Sequence, residues 1–176
     1  MKILAFGAST SSTSINRRFA NYAASQVPGA QVTELDLRDY SLPMYSVDEE
    51  GANGIPKRAQ DFRDQILAHD RIVISLAEHN GSYASAFKNL YDWTSRIDAK
   101  VWAGKPLLLL ATSPGGRGGA TVLEAAKATF PFMGGDVKAS FSLPAFQDNF
   151  VDGEGIKDPE LAAALADAIK AFSDQS

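Results

Sequence analysis

Along this chain one pattern recurs: a short apolar run stops in a loop of small or hydroxyl-bearing residues, and apolar positions then return at helical spacing. The clearest runs are Ile3 to Phe6, Ile72 to Leu76 and Leu107 to Ala111. Near-continuous apolar runs of this length predict strands covered on both faces. Two further runs are more polar. Gln31 to Leu37 carries Thr33, Glu34 and Asp36, and the stretch from 136 to 142 alternates Val137, Ala139 and Phe141 with Lys138, Ser140 and Ser142. Strands of that kind belong at sheet edges.

Helical spacing of apolar residues predicts five helices, running from Ile15 to Val27, Ala59 to Ile66, Phe87 to Ile97, Val122 to Phe130 and Leu161 to Phe172. Asp158 before Pro159 marks the capped start of the last, and Gly29 a stop for the first. Strands near 2–6, 31–37, 70–76, 106–111 and 136–142 alternate with these helices, which predicts a parallel sheet with helices on both faces. With the two polar strands at the edges, the order is 2-1-3-4-5, a flavodoxin-like α/β architecture in a single domain over residues 1–176.

That order puts the topological switch between strands one and three, where such sheets bind ligands outside the carboxyl ends of their strands. The three small-residue loops are those that follow the central strands. They are Gly7 to Asn16 (loop one), Ala77 to Ser82 (loop three) and Thr112 to Gly119 (loop four). One composite crevice is therefore expected.

Composition narrows the chemistry. The absence of cysteine excludes disulfides, thiolate metal sites and a thiol nucleophile. No apolar stretch approaches the roughly 20 residues that span a bilayer. With no signal-peptide pattern at the start, the expectation is a cytoplasmic protein without membrane insertion. The net charge is −4, and Lys and Arg are scattered among acids, so nucleic acid is not an expected partner. Ser46 to Gly54 and Gln147 to Asp158 read as surface excursions.

Loop one sets Ser9, Thr10, Ser11, Ser12, Thr13, Ser14 and Asn16 directly before a helix. Hydroxyls and free N–H groups at the positive end of a helix form an anion site suited to a phosphate; the alternative is a capped turn without a ligand. The Walker pattern and G-x-G-x-x-G are both absent, which disfavours a nucleotide triphosphatase or a dinucleotide-binding Rossmann domain and leaves a flavin mononucleotide site. Gly7-Ala8-Ser9-Thr10-Ser11 narrowly misses the nucleophile elbow of a serine hydrolase, and so argues against Ser9 as a nucleophile. His69 reads as a helix-end dipole partner or a surface residue. His79, beside Asn80 and Gly81, reads equally as a flank for a planar ligand or as exposed. Neither has metal-ligand spacing, so no metal is expected. Loop four can bring its backbone N–H groups close to a ligand. Arg117 is open between pairing with the phosphates of a nicotinamide cofactor and plain solvation.

Gly7-x-Ser9 with Ser14-x-Asn16, Glu78-x-Asn80-Gly81-Ser82 with Lys88-Asn89 and Asp92-Trp93, and Ser113-Pro114-Gly115-Gly116 with Gly118-Gly119 occur in that order. In them the chain resembles the NAD(P)H-dependent FMN reductase family, which includes chromate, quinone and azo reductases. The resemblance implies an enzyme whose redox chemistry resides in bound FMN, with no side chain in a catalytic role. NADPH or NADH would be the electron donor, and a quinone, flavin, azo compound or similar small molecule the acceptor; a non-enzymatic electron carrier is the alternative. It implies that Ser9, Ser11, Ser14, Ile15 and Asn16 hold the flavin phosphate, that Glu78, His79, Asn80, Gly81 and Ser82 border the ring and ribityl chain, and that Ser113, Pro114, Gly115 and Gly116 complete the pocket. An Arg usual in the first loop is replaced here around Ser12, and the usual Pro-Glu-Tyr-Asn is Ala77-Glu78-His79-Asn80. The helix bearing Trp93 is expected in the core or at a subunit interface. A homodimer or homotetramer is implied too, and Leu143, Pro144, Phe146 and Phe150 read as an exposed aromatic contact surface.

Overall fold

Residues 1–174 are described by a computed structural model. In chain order the elements are β1 (Lys2–Ala8), α1 (Ile15–Ser25), β2 (Gln31–Leu35), a 3-10 turn (Leu37–Tyr40), α2 (Val47–Asn53), α3 (Lys57–Ala68), β3 (Arg71–Leu76), β4 (Glu78–His79) and β5 (Ser82–Tyr83). They continue as α4 (Ser85–Ile97), β6 (Pro106–Thr112), α5 (Ala120–Thr129), β7 (Asp136–Leu143), α6 (Phe146–Asn149), β8 (Phe150–Val151), β9 (Gly155–Ile156) and α7 (Pro159–Ser173). The five long strands form one parallel sheet in the order β2-β1-β3-β6-β7, which is the expected 2-1-3-4-5 once the short hairpin strands are set aside.

The continuous apolar runs have a direct cause. On β1, Leu4, Phe6 and Ala8 face one core with Phe62, Phe87 and Phe130, while Ile3 and Ala5 face a second core with Phe19, Ala23 and Phe172. Ile72, Ile74 and Leu76 alternate with Val73 in the same way on β3, as do Leu107 and Leu109 with Leu108 and Leu110 on β6. Both faces of the central strands are buried, at about 1.5–3 kcal/mol for each large apolar side chain withdrawn from water. The parallel arrangement carries loops one, three and four to the same end of the sheet.

Several expectations change. Strand two ends at Leu35 because Asp36 leaves the ladder to cap the following turn, accepting from Arg38 N at 3.0 Å. α1 stops at Ser25, ahead of Pro28, which cannot donate to a further turn, and Gly29 instead serves the turn into β2 with φ 70°. Ser46 to Gly54 is a helix: Ser46 accepts from Glu49 N at 3.0 Å, and Gly54 ends it at φ 73°. The Ser46-x-x-Glu49 capping-box spacing is the signal that finds it. Asn80 (φ 53°) and Gly81 (φ 76°) form the turn of the β4–β5 hairpin, and Asn-Gly is the residue pair that such left-handed turns select.

The segment around Phe146 is also corrected. Leu143, Phe146 and Phe150 are buried within the chain, the two phenyl rings stacked 4.8 Å apart and Phe150 edge-on to Tyr22 at 5.2 Å. The second excursion, Gln147 to Asp158, thus folds back as the β8–β9 hairpin over α1, and it presents no aromatic contact surface. Trp93 lies in the core. His69 is buried rather than on the surface, with Nδ1 2.7 Å from Gln65 O at the end of α3.

Candidate functional site

Loop one begins where β1 meets α1. A Cβ on Gly7 would lie 2.6 Å from Arg17 Cα, so only glycine lets the strand end approach the helix this closely. Ser14 is the N-cap, its Oγ accepting from Arg17 N at 3.1 Å. The N–H groups of Ile15 and Asn16 have no backbone acceptor among the described residues, and they stand at the positive end of the helix. Above them Ser9 Oγ accepts from Ser11 N at 3.2 Å and Ser11 Oγ accepts from Thr13 N at 3.3 Å, while Thr10 to Thr13 are exposed. Arg17 reaches back to donate to Ser12 O at 2.9 Å and pairs with Asp36. A guanidinium therefore backs the loop through a carbonyl, from a position other than the one where the resemblance expects an Arg.

Two residues expected as ligands have their side chains committed elsewhere. Asn16 is buried; its Oδ1 accepts from Ser75 Oγ at 2.7 Å and Thr112 N at 3.1 Å, and its Nδ2 donates to Thr112 O at 3.1 Å. The carboxamide ties α1 to the ends of β3 and β6, so Asn16 reaches the crevice through its backbone N–H alone. Glu78 Oε2 accepts from Val122 N at 2.9 Å, a carboxylate supplied from loop three to the N-terminus of α5.

Loop four rises from Thr112, whose Oγ1 donates to Leu143 O at 2.7 Å. It is held from outside: Phe146 N donates to Ser113 O at 3.1 Å and Ala145 N to Gly115 O at 2.9 Å. The N–H groups of Gly115, Gly116 and Arg117 have no backbone acceptor among the described residues. A Cβ on Gly118 (φ 61°) would press on Leu143 C at 2.9 Å and on Ser142 Oγ, whereas one on Gly116 would meet nothing within 4 Å. Protein packing thus explains Gly118. Gly116 is open to solvent and lines no part of the crevice.

The crevice has three connected parts. The innermost, about 240 Å³, is lined by Ser9, Ser14, Asn16, Glu78, Ser113 and Gln147 among others. A wider one of about 610 Å³ adjoins it and is walled by His79, Asn80, Tyr83 and Ala86. The third, about 440 Å³, shares Thr10, Ser85 and Ala86 with the second and is bounded by Arg38, Tyr40, Leu42 and Met44. Burial raises the Tyr83 phenol above its ordinary range, so it stays protonated and able to donate at neutral pH. His79 is exposed, and so is Arg117, which donates to Thr121 Oγ1 at 2.9 Å and lines none of the three. Sequence reasoning missed Tyr83 to Ala86 and Gln147. The hairpin turn at Asn80-Gly81 is the cue that returns the chain over the crevice and places Tyr83 there. Gln147 had no local signal, because α6 is positioned by its contact with loop four. An apolar groove of about 360 Å³ between α1 and α7 shares no residue with the crevice.

The Lys88-Asn89 and Asp92-Trp93 motif acts as support. Asn89 accepts from Tyr45 N at 2.8 Å and donates to Pro43 O at 3.0 Å, and Trp93 Nε1 donates to Pro43 O at 2.8 Å. Together they fix the segment that walls the third cavity.

Comparison with known proteins agrees with this geometry. The family model for NADPH-dependent FMN reductase matches residues 1–148. An NAD(P)H-dependent FMN reductase of Pseudomonas aeruginosa is 33% identical over 134 residues, which is 76% of this chain and 71% of that protein. A quinone reductase of Escherichia coli K12 is 37% identical over 79 residues, 45% of this chain and 42% of that protein. Among solved structures, a flavoenzyme NAD(P)H:acceptor oxidoreductase of Paracoccus denitrificans superposes with a TM-score of 0.76 at 24% identity, covering 98% of this chain and 95% of that one. No helix among the described residues is long and apolar enough to cross a membrane. The match over residues 1–148, joined to the 2-1-3-4-5 sheet and the three loops at its switch point, places the chain in the NADPH-dependent FMN reductase family.

Proposed function

We propose that residues 1–176 form one flavin-binding domain that accepts hydride from NAD(P)H on bound FMN and passes the electrons to a quinone, free flavin, azo compound or similar planar acceptor. The observation that carries this reading is the anion site of loop one. The free N–H groups of Ile15 and Asn16 converge there with the hydroxyls of Ser9, Ser11 and Ser14. Ser14 Oγ accepts from Arg17 N and so keeps its own hydrogen for a phosphate oxygen. Glu78, His79, Asn80, Gly81 and Ser82 border the ring from loop three. Ser113, Pro114, Gly115 and Gly116 border it from loop four; Ser113 and Pro114 line the innermost cavity, and the N–H groups of Gly115 and Gly116, free of backbone acceptors among the described residues, support a role as donors to a ring edge.

When bound, FMN supplies the hydride and electron chemistry. The protein binds, orients and shields it, and no side chain is given a proton-transfer role. His79, Tyr83 and Ala86 wall the space in which donor and acceptor take turns, so the kinetics are ping-pong. The cytoplasm, where NAD(P)H is held, is the proposed location. A homodimer or homotetramer is the proposed assembly; with Phe146 and Phe150 buried, the support for it is the exposed apolar side chains of Val47 (76% exposed) and Phe132 (77% exposed).

Titration of apoprotein with FMN and with FAD, followed by anaerobic addition of NADPH, tests the reading. FMN binding tighter than FAD, with bleaching of the flavin spectrum by NADPH, is expected. Equal or tighter FAD binding would remove the phosphate assignment, and flavin binding without bleaching would make the protein an electron carrier.

A further inference from the structure

Arg38 stands apart from the residues so far given roles. Asp36 accepts from its backbone N at 3.0 Å, from Nε at 3.0 Å and from Nη2 at 2.6 Å, a fork that fixes the guanidinium plane. Nη1 has no acceptor among the described residues, and the side chain lines the third cavity. Asp36 is shared with Arg17, so two cations face one anion. Asp39, the nearest further acid, lines a different cavity.

The cavity is a built space. Its outer wall, Leu42 to Tyr45, is pinned by Asn89 and Trp93. Tyr40, Leu42 and Met44 offer an apolar surface for a base, and Thr10 and Ser41 bring hydroxyls. It opens into the 610 Å³ space through the shared residues Thr10, Ser85 and Ala86. A pyridine nucleotide with its nicotinamide in that space has to lead its adenosine end elsewhere; with the 240 Å³ cavity assigned to the flavin phosphate, this adjoining cavity of about 440 Å³ offers the room. NADPH differs from NADH only by a phosphate on the adenosine ribose. A planar guanidinium with one free edge, fixed in place by a carboxylate, is suited to that dianion.

We propose that Arg38, oriented by Asp36, recognises the 2′-phosphate of NADPH in the cavity beside the flavin crevice and makes the enzyme prefer NADPH to NADH. The proposal rests on the oxidoreductase reading above. Arg117, an exposed cation in loop four, lines no part of the crevice and has no such role.

Calorimetric titration with 2′,5′-ADP and with ADP, on the protein with and without FMN, reads the phosphate contact without turnover. The wild type is expected to bind 2′,5′-ADP at least about tenfold more tightly than ADP, the scale of one charge-assisted hydrogen bond. Arg38→Ala should abolish that preference, and Arg117→Ala should keep it. In turnover, Arg38→Ala should raise the KM for NADPH at least about tenfold more than the KM for NADH. Equal binding of the two nucleotides by the wild type, a preference that survives Arg38→Ala, or its loss in Arg117→Ala instead would overturn the proposal. Failure to bind FMN would count against the underlying reading alone, because the nucleotide titration on FMN-free protein still reports on Arg38.

Discussion

Loop one and loop four stand on either side of the end of β3, and they are built by opposite means. Loop one is made of polar side chains sorted by burial. Ser14 and Asn16 point inward and fix the backbone, whereas Thr10 to Thr13 stay exposed. Loop four is half glycine. Its shape comes largely from backbone bonds to Ala145 and Phe146, and its glycines differ in φ and in what a Cβ would meet. A residue's chemical type therefore says little about its role in either loop. In loop one the hydrogen bonds a side chain already makes decide between support and ligand contact, since Asn16 is fully committed and Ser14 keeps a free hydrogen; in loop four free space separates a packed glycine from an open one.

The sharpest way to break this comparison is inside loop four. Gly118→Ala forces a Cβ against Leu143 C at 2.9 Å in a left-handed backbone at φ 61°. Overpacking and backbone strain together should cost about 3 kcal/mol in urea unfolding. Gly116→Ala meets nothing within 4 Å and should leave stability within about 0.5 kcal/mol of wild type while weakening FMN binding. Equal stability losses in the two variants would mean that free space does not separate their roles.

Within loop one the contrast is between Asn16 and Ser14. Asn16→Leu leaves Thr112 N–H and C=O and Ser75 Oγ without their partner in a buried setting, an expected loss of about 2–3 kcal/mol. Ser14→Asp should fold as the wild type does, because Asp caps a helix as well as Ser. It also sets a carboxylate against a phosphate carrying about −1.5 to −2 charges, so FMN affinity should fall at least about tenfold. Thermal melting and flavin titration on both variants separate the effects. Normal flavin affinity in Ser14→Asp would move the phosphate away from α1.

The same contrast shows where the sequence could be read. Sheet order was legible because burial on both faces writes itself as unbroken apolar runs, and Glu34 and Lys138 mark the edges. The location of the crevice followed from that order. The division of labour within it did not, because Asn16 and Glu78 look like ligands until their partners Thr112 and Val122, 96 and 44 residues away, are in place. Phe146 and Phe150 escape a local reading for the same reason: nothing nearby in the chain reveals that α1 supplies Phe19 and Tyr22 against Phe150 and Arg18 over Phe146.

The smallest expected effect is a difference in acid response. Loop one has a titratable tie, since Arg17 holds Ser12 O while it pairs with Asp36, and loop four is tied by uncharged hydrogen bonds. The hydrogen bond from Arg38, aided by the charge of Arg17, holds the Asp36 carboxyl down at about 2, against about 3.9 in an unfolded chain. A carboxyl lowered in the folded state binds fewer protons there than in the unfolded state. Its stabilisation is therefore complete above about pH 4–5 and is lost as pH falls through about 4 toward 2. Asp36 is partly open to water, so the contribution is about 1 kcal/mol rather than the full value of the shift. Asp36→Asn should accordingly be less stable than wild type at neutral pH and converge with it near about pH 2. Unfolding free energies of the two proteins measured across that range test the charged group, and curves that stay parallel down to the acid end would show that the charge of Asp36 does not stabilise the fold through Arg38 and Arg17.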